Sequence, residues 1–326
     1  MIIEMAPMEG ITNYLYRQIY QEYFGGIDRF YTPFLSPNQH DSFQSKEWKE
    51  IDPNNNAGLR VIPQILTKNP DHFLWAAKVC YDKGYPEVNY NLGCPSGTVV
   101  AKGKGAGTLR DVEELDRILD KVFASCPAKV SIKTRIGLQD PEEFEKILKV
   151  YQRYPLERLI IHPRVQKEFY KGSVHLESFA LAYERLSCPL VFNGNLFSPE
   201  DIQRVLSLFP HLEGVMLGRG LLSRPSLAEE IHGVDATKKG LTMGRFYAFH
   251  QALVERNKEV LSGDHQVLHR MKEFWPYWYI QFTNGEKYWK KVRKARYLSD
   301  YLAATNDLFQ KESLAANAYF SSYSIR

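Results

Sequence analysis

Cysteine is scarce in this chain of 326 residues, which has four: Cys80, Cys94, Cys126 and Cys188. None shares a Cys-x-x-Cys spacing or sits among candidate ligands, which argues against a zinc site, an iron–sulfur cluster and a disulfide framework; no metal is expected. Long apolar runs are missing as well. No stretch reaches the roughly 18 residues of a membrane-crossing helix, and no charged-then-apolar leader opens the chain, so a cytoplasmic protein without a membrane partner is expected. No Gly-x-Gly-x-x-Gly turn follows the first apolar run, which leads instead into Ala6-Pro7-Met8-Glu9-Gly10; this speaks against an open dinucleotide-binding sheet. The net charge of +4 is small but uneven, because residues 241–326 hold 13 Lys and Arg against 8 Asp and Glu while residues 1–240 hold 29 against 30. A nearly neutral body carries a basic end, which suits an acidic partner.

What is present is regular. Eight short apolar runs, Ile2–Ala6, Arg29–Phe34, Val61–Leu66, Glu87–Asn91, Val130–Thr134, Leu159–Ile161, Leu190–Phe192 and Gly214–Leu217, each read as a buried strand. Segments of helical period lie between them, with start signals at Thr12, Asn69-Pro70, Asp111-Val112-Glu113-Glu114, Asp140-Pro141 and Ser198-Pro199. Repeated strand-then-helix units predict an α/β fold, a (β/α)8 TIM barrel over residues 1–237, followed by a small all-α domain over residues 238–326. The junction falls around Val234–Gly240, and helices are predicted beyond it over Arg245–Leu261, Val267–Tyr279 and Glu286–Tyr301.

In such a barrel, chemistry belongs to the loops after the carboxyl ends of the strands. There stand Pro7-Met8-Glu9, Gln64, Asn91 with Cys94 beyond it, Lys133 and Arg135, His162 and Arg164, Asn193-Gly194-Asn195 and Gly218-Arg219-Gly220. A polar residue at one strand end is ordinary, but here nearly every end carries one. Cys94 is the best-placed thiol: Gly93 lets the chain turn sharply after the strand, and Pro95 cannot extend a ladder. A free thiol titrates near about 8.5 and can donate its proton at pH 7, although a turn cysteine also suits a plain structural role. The glycines after the last two strands are turns taken singly, yet on adjacent strands they suit a phosphate, with Arg219 as a bidentate clamp. Two long loops, Ser36–Arg60 and Pro95–Leu109, break the rhythm. The second, with Lys102, Lys104 and several glycines, reads either as a solvated segment or as a lid over Cys94. In the tail, basic residues from Arg270 to Arg296 interleave with Phe274, Trp275, Tyr277, Trp278, Tyr279, Tyr288 and Trp289. These are either core and solvated faces or the phosphate and base contacts of an RNA surface.

Ala6-Pro7-Met8, Gln64, Asn91-Leu92-Gly93-Cys94-Pro95, Lys133-Thr134-Arg135, His162-Pro163-Arg164, Asn193-Gly194 and Gly218-Arg219-Gly220 together resemble the bacterial tRNA-dihydrouridine synthases. Arg270-Met271-Lys272 followed by Tyr277 is similar to that family's helical-domain signature. The resemblance implies FMN in the barrel, NADPH as reductant, and reduction of the C5–C6 double bond of a D-loop uridine in tRNA, with Cys94 as the catalytic proton donor. It implies FMN contacts from Pro7, Met8, Glu9, Gln64, Lys133, His162, Asn193, Gly194, Asn195, Gly218 and Arg219. Contacts to tRNA are implied for Asn91, Lys104, Tyr170, Arg270, Lys272, Tyr277 and Arg293. Two positions depart from the family pattern: Pro163 stands where Gly is usual, and Asn195 where an acidic residue commonly follows Asn-Gly. The alternatives are an FMN barrel acting on a free small molecule, like the dihydroorotate-type dehydrogenases, and a non-catalytic RNA-binding protein. The basic helical end speaks against the first, and a flavin spectrum would exclude the second.

Overall fold

Alternation along a strand decides which side chains face the helices and which face the barrel interior. In Glu87–Leu92 (β5) the side chains of Val88, Tyr90 and Leu92 turn outward, Tyr90 stacking on Phe73 of the helix Pro70–Asp82 at 4.5 Å between centroids. Glu87, Asn89 and Asn91 therefore point inward. The structure, a computed structural model, describes residues 1–233, 240–316 and 318–321. Its other strands are Ile2–Met5 (β1), Arg29–Tyr31 (β2), Val61–Ile62 (β3), Gln64–Ile65 (β4), Lys129–Arg135 (β6), Leu159–His162 (β7), Leu190–Phe192 (β8) and Gly214–Leu217 (β9). All pairs are parallel, in the order β3-β2-β1-β9-β8-β7-β6-β5-β4. β3 and β4 are halves of one predicted strand. Pro63 between them has no N–H to offer, but its carbonyl accepts from Asn89 N at 2.8 Å and carries the sheet around. The predicted eight-strand barrel is present, with its third strand broken at a proline.

The interior has three levels. Ala6, Tyr31, Ile62, Ile160, Val191 and Met216 form an apolar plug across the middle. Two residues earlier along the strands lies a buried ionic layer. There Arg29 donates to Glu4 at 3.0 Å and Glu213 at 2.7 Å, Arg158 pairs with Glu87, and Tyr31 donates its hydroxyl proton to Glu4 at 3.1 Å. Burial pushes the Glu4 carboxyl up to about 7, against the pull of Arg158 and Arg29. Two residues later along the strands come the polar ends that build the cavity described below.

Most helix starts follow the sequence signals: Asn69 caps Pro70–Asp82, Asp111 caps Val112–Ser125, and Ser198 with Asp201 forms a capping box on Pro199–Leu208. Two differ. Asn13 rather than Thr12 caps the helix Tyr14–Tyr23, because the Thr12 hydroxyl accepts from Met8 N at 2.8 Å. Asp140 makes a turn ahead of the helix Glu143–Tyr151, accepting from Glu142 N at 2.9 Å, while Glu143 takes the N–H groups of Leu138, Gln139 and Asp140. Two of the three predicted tail helices are also divided. One divides into Asp264–Lys272 and Trp275–Trp278, with Pro276 in the first turn of the latter, and another into Gly285–Lys294 and Leu298–Lys311.

Trp275, Trp278, Phe274 and Tyr288 are buried, so these tail aromatics are core and present no face to an RNA base. Phe249 of the helix Met243–Val260 packs on Tyr16, Tyr23 and Phe24, and Trp278 Nε1 donates to Leu222 O at 2.9 Å. One buried apolar cluster runs from the barrel helices into the tail. The predicted junction at residues 234–239 lies outside the described residues.

The ionic layer generates a prediction. Replacing Arg158 with Leu leaves Glu87 without its buried ion-pair partner and takes an attracting charge from the buried Glu4, and should cost about 3–5 kcal/mol in denaturant unfolding at pH 8. Glu4, already raised by burial, would rise further without Arg158, so the folded variant binds more protons and its deficit should shrink as pH falls toward 5. A deficit equal at both pH values would contradict this account of the layer.

Candidate active site

A cavity of about 570 Å³ opens at the carboxyl ends of the strands, lined among others by Ala6, Met8, Gln64, Cys94, Lys133 and Arg219. All the positions assigned to a cofactor from the sequence (Pro7, Met8, Glu9, Gln64, Lys133, His162, Asn193, Gly194, Asn195, Gly218, Arg219) line it, together with Asn91, Cys94, Tyr170 and Tyr277. Glu9 is at the exposed rim, paired with Lys46 at 3.3 Å. Lys104, Arg270, Lys272 and Arg293 lie outside it.

A chain of side-chain hydrogen bonds climbs through the barrel to Cys94. Ser131 donates to Glu87 at 2.7 Å, Asn89 Nδ2 to Ser131 at 3.0 Å, Gln64 Nε2 to Asn89 Oδ1 at 2.8 Å, and Asn91 Nδ2 to Gln64 Oε1 at 2.8 Å. Each amide is thereby held in one orientation, and Asn91 Oδ1 faces the turn, where it accepts from Gly93 N at 3.1 Å and Cys94 N at 2.9 Å. Asn91 thus positions the cysteine loop. The same loop is held from outside by Gly105, in the left-handed region at φ +57°, where a Cβ would come within 2.9 Å of Cys94 Cβ. Residues 106–109 are buried and Ala106 N donates to Cys94 O at 3.1 Å, so this segment is a packed wall rather than an open lid. Burial raises the Cys94 thiol above its usual range, opposed by a backbone hydrogen bond from Ser96 and by the charges of Arg135 and Lys133. It holds its proton at neutral pH.

The facing wall is cationic. Lys133 Nζ donates to Asn193 Oδ1 at 2.9 Å, and burial together with Arg135 brings it down to about 7. Arg164, lowered to about 10 by burial and then by Arg219 and Arg135, donates to His162 Nε2 at 2.9 Å and Asn195 Oδ1 at 2.9 Å. Because that arginine must donate, His162 Nε2 is the acceptor nitrogen; burial and the surrounding cations hold the ring well below its usual pKa and neutral. Arg135 ties three loop carbonyls, Gly93 O at 3.1 Å, Val165 O at 3.0 Å and Phe169 O at 2.6 Å. Among the described residues, none of Lys133, Arg135, Arg164 and Arg219 pairs with a carboxylate. Tyr170, 47% exposed, lies between Arg135 and Arg219, whose guanidinium carbons are 5.4 and 5.0 Å from its ring centroid.

Arg135 and Arg164 were visible in the sequence as strand-end cations without a site role, yet they connect the loops around the cavity. Their inward parity with Lys133 and His162 is the signal that marks them. Asn195 takes a left-handed φ of +50°, tolerable for asparagine, and so presents its oxygen to Arg164. Pro163 accepts from His175 N through its carbonyl at 2.8 Å. Gly220 is required by close approach: a Cβ there would lie 2.2 Å from Leu196 O. Of the outer positions, Arg270 pairs with Glu273 at 3.1 Å, and Lys272 closes the end of the helix Gly285–Lys294 by donating to Arg293 O at 3.2 Å and Ala295 O at 2.5 Å. Arg293 is exposed, and Lys104 is beside Lys102 and Lys68. Among the described residues, no group of three or more His, Cys, Asp or Glu is arranged to hold a metal ion, and no helix is long and apolar enough to cross a membrane.

The barrel resembles that of the old yellow enzyme homologue from Zymomonas mobilis, with a TM-score of 0.53 at 13% identity, over 72% of this chain and 88% of that one. This is a likeness of fold. In sequence the chain is 29% identical over 226 residues to tRNA-dihydrouridine synthase B of Pasteurella multocida (69% of this chain, 67% of the relative). It is 29% identical over 244 residues to the tRNA-dihydrouridine(16) synthase of Aquipseudomonas alcaligenes (72% of this chain, 76% of the relative). Residues 4–313 match the sequence model of the dihydrouridine synthase (Dus) family, and over that nearly complete match the chain belongs to the dihydrouridine synthases.

Proposed function

We propose that this protein works in the cytoplasm, where it reduces the C5–C6 double bond of a D-loop uridine in tRNA, with FMN as bound cofactor and NADPH as reductant. One observation carries the reading: a protonated thiol and three cations, Lys133, Arg135 and Arg219, with no carboxylate ion pair among the described residues, line one cavity in a member of this family. The residues fit such a cofactor. The cavity has the size of a small-molecule site, Gln64 and Lys133 retain N–H donors for ring carbonyls after their protein bonds are made, and Arg219 offers a fork to a phosphate. Bound there, the flavin supplies the hydride that saturates C6 of the uracil.

The chain's own contribution is positioning and charge. Asn91 and Gly105 hold Cys94 so that its Sγ proton is available for C5, where hydride addition leaves negative charge. Arg135 and Lys133 favour the thiolate left behind. Tyr170 presents an exposed ring on which a base released from the tRNA stack would lie. The exposed Arg293, Lys294 and Arg296, and the cluster of Lys68, Lys102 and Lys104, supply cations for phosphates. The names of the relatives above support tRNA as the substrate, and the basic end of the chain supports it independently.

Cys94→Ala should keep the fold and the flavin spectrum, and NADPH should still bleach the flavin, while tRNA reduction falls by roughly 10²–10⁴. Single-turnover oxidation of the reduced enzyme by tRNA measures this, and a wild-type rate would make Cys94 structural.

Lys133 yields a pH prediction. In the unliganded protein it titrates near 7, and an anionic ligand raises that value, so binding takes up a proton above pH 7. FMN affinity should therefore change little through Lys133 below pH 7 and weaken as pH rises from 7 to 9. Lys133→Met should bind more weakly and lose the dependence above pH 7, as read by flavin fluorescence titration. A wild-type profile in that variant would remove Lys133 from the flavin contact.

A further inference from the structure

Beyond residue 313, where the family match ends, the chain turns back to the cavity. Ala315 N donates to Gln281 O at 2.8 Å, and Gln281 Nε2 donates to Ala318 O at 2.7 Å. Tyr319 lies against the Arg224 guanidinium at 4.9 Å and donates its hydroxyl proton to Glu230 at 3.3 Å. These contacts deliver Phe320, 2% exposed, onto Phe197 at 5.2 Å and Tyr277 at 5.9 Å between centroids, both residues of the cavity wall.

The consequence falls on Arg219. Its guanidinium carbon stands 5.0 Å from the Tyr170 ring, 5.4 Å from Phe197 and 5.5 Å from Phe320. Its hydrogen bond to Asn195 Oδ1 is long, 3.5 Å, and no carboxylate pairs with it among the described residues. Apart from that one long bond its N–H donors are oriented by ring faces instead of being consumed by partners, an arrangement that keeps a planar fork free for a bidentate anion.

We propose that segment 318–321 is part of the active site, with Phe320 acting as a positioning residue that completes an aromatic cage and aims Arg219 at the phosphate of the bound flavin nucleotide. This rests on the flavin reading above. Tyr170 sits in a loop and is half-exposed, whereas Phe320 is buried, so the strap supplies the fixed ring of the pair. The segment lies outside the stretch matched by the family model, which ends at residue 313.

The test compares FMN with riboflavin, which has the same ring and no phosphate, by fluorescence titration of flavin-free protein. Phe320→Leu keeps apolar volume but loses the π face, and should weaken FMN binding by roughly 2- to 30-fold with riboflavin binding unchanged; Phe320→Tyr should restore it. In an Arg219→Met background the effect of Phe320→Leu should vanish, and thermal melting of each variant separates this from loss of fold. Equal FMN affinity in wild type and Phe320→Leu, an equal loss for riboflavin, or a loss that persists without Arg219 would overturn the strap proposal while leaving the flavin reading standing. Failure of the wild type to bind either flavin would overturn both.

Discussion

A polar side chain inside a closed barrel cannot reach water, so its hydrogen-bonding groups must be met by other inward-facing side chains or left at a cost of several kcal/mol. This constraint orders the molecule from end to end. At the amino ends of the strands it is met by ions, with Arg29 and Arg158 shared among Glu4, Glu87 and Glu213. Higher up it is met by amides: Ser131, Asn89 and Gln64 pass the requirement upward until Asn91 has one oxygen left, and that oxygen is spent on the turn that carries Cys94. The position of the thiol is thus set by a relay that begins at the opposite side of the apolar plug.

At the carboxyl ends the same requirement is left unmet on purpose of chemistry. Lys133, Arg135, Arg164 and Arg219 crowd together; burial and then neighbouring cations lower Lys133, Arg164 and His162, and among the described residues none of the four forms an ion pair with a carboxylate. Such a wall is destabilising for the protein alone and becomes favourable when an anion enters, which is the signature of a preformed ligand site. The neutral Asn195 between Arg164 and Arg219 preserves that excess of positive charge, since an acidic side chain there would cancel part of it.

The helical end joins the barrel through aromatic packing and not through its charges. Phe249 and Phe274 close over the first helix of the barrel and Trp278 bonds Leu222 O, which leaves Lys and Arg on the outer faces and brings Tyr277 to the cavity wall with Phe320 packed against it. Lys272 shows how a residue suited to phosphate can instead be occupied by protein, its ammonium group taken up by the end of a neighbouring helix.

Strand order, the barrel and the strand-end residues were legible in the sequence because burial on both faces of a parallel strand writes continuous apolar runs, and because the last inward residue of each run is polar. The turn at Cys94 was legible for the same local reason, through Gly93 and Pro95. Partnership was not: nothing in the residues themselves separates Trp275 and Trp278, buried in the core, from Tyr170, exposed at the cavity, since all are aromatics beside basic neighbours. The loop at residues 95–109 carries glycines that suit a lid, yet Gly105 is there so that the backbone can press against Cys94. Arg135 and Arg164 became connectors of loops, and Phe320 a neighbour of the wall residues Phe197 and Tyr277, only when distant segments met. Local patterns by themselves determined which elements form and which groups stand at their ends; the tertiary structure alone decided which of those groups touch, because hydrogen bonds, ring contacts and charge balance are made between residues that sequence distance leaves unrelated.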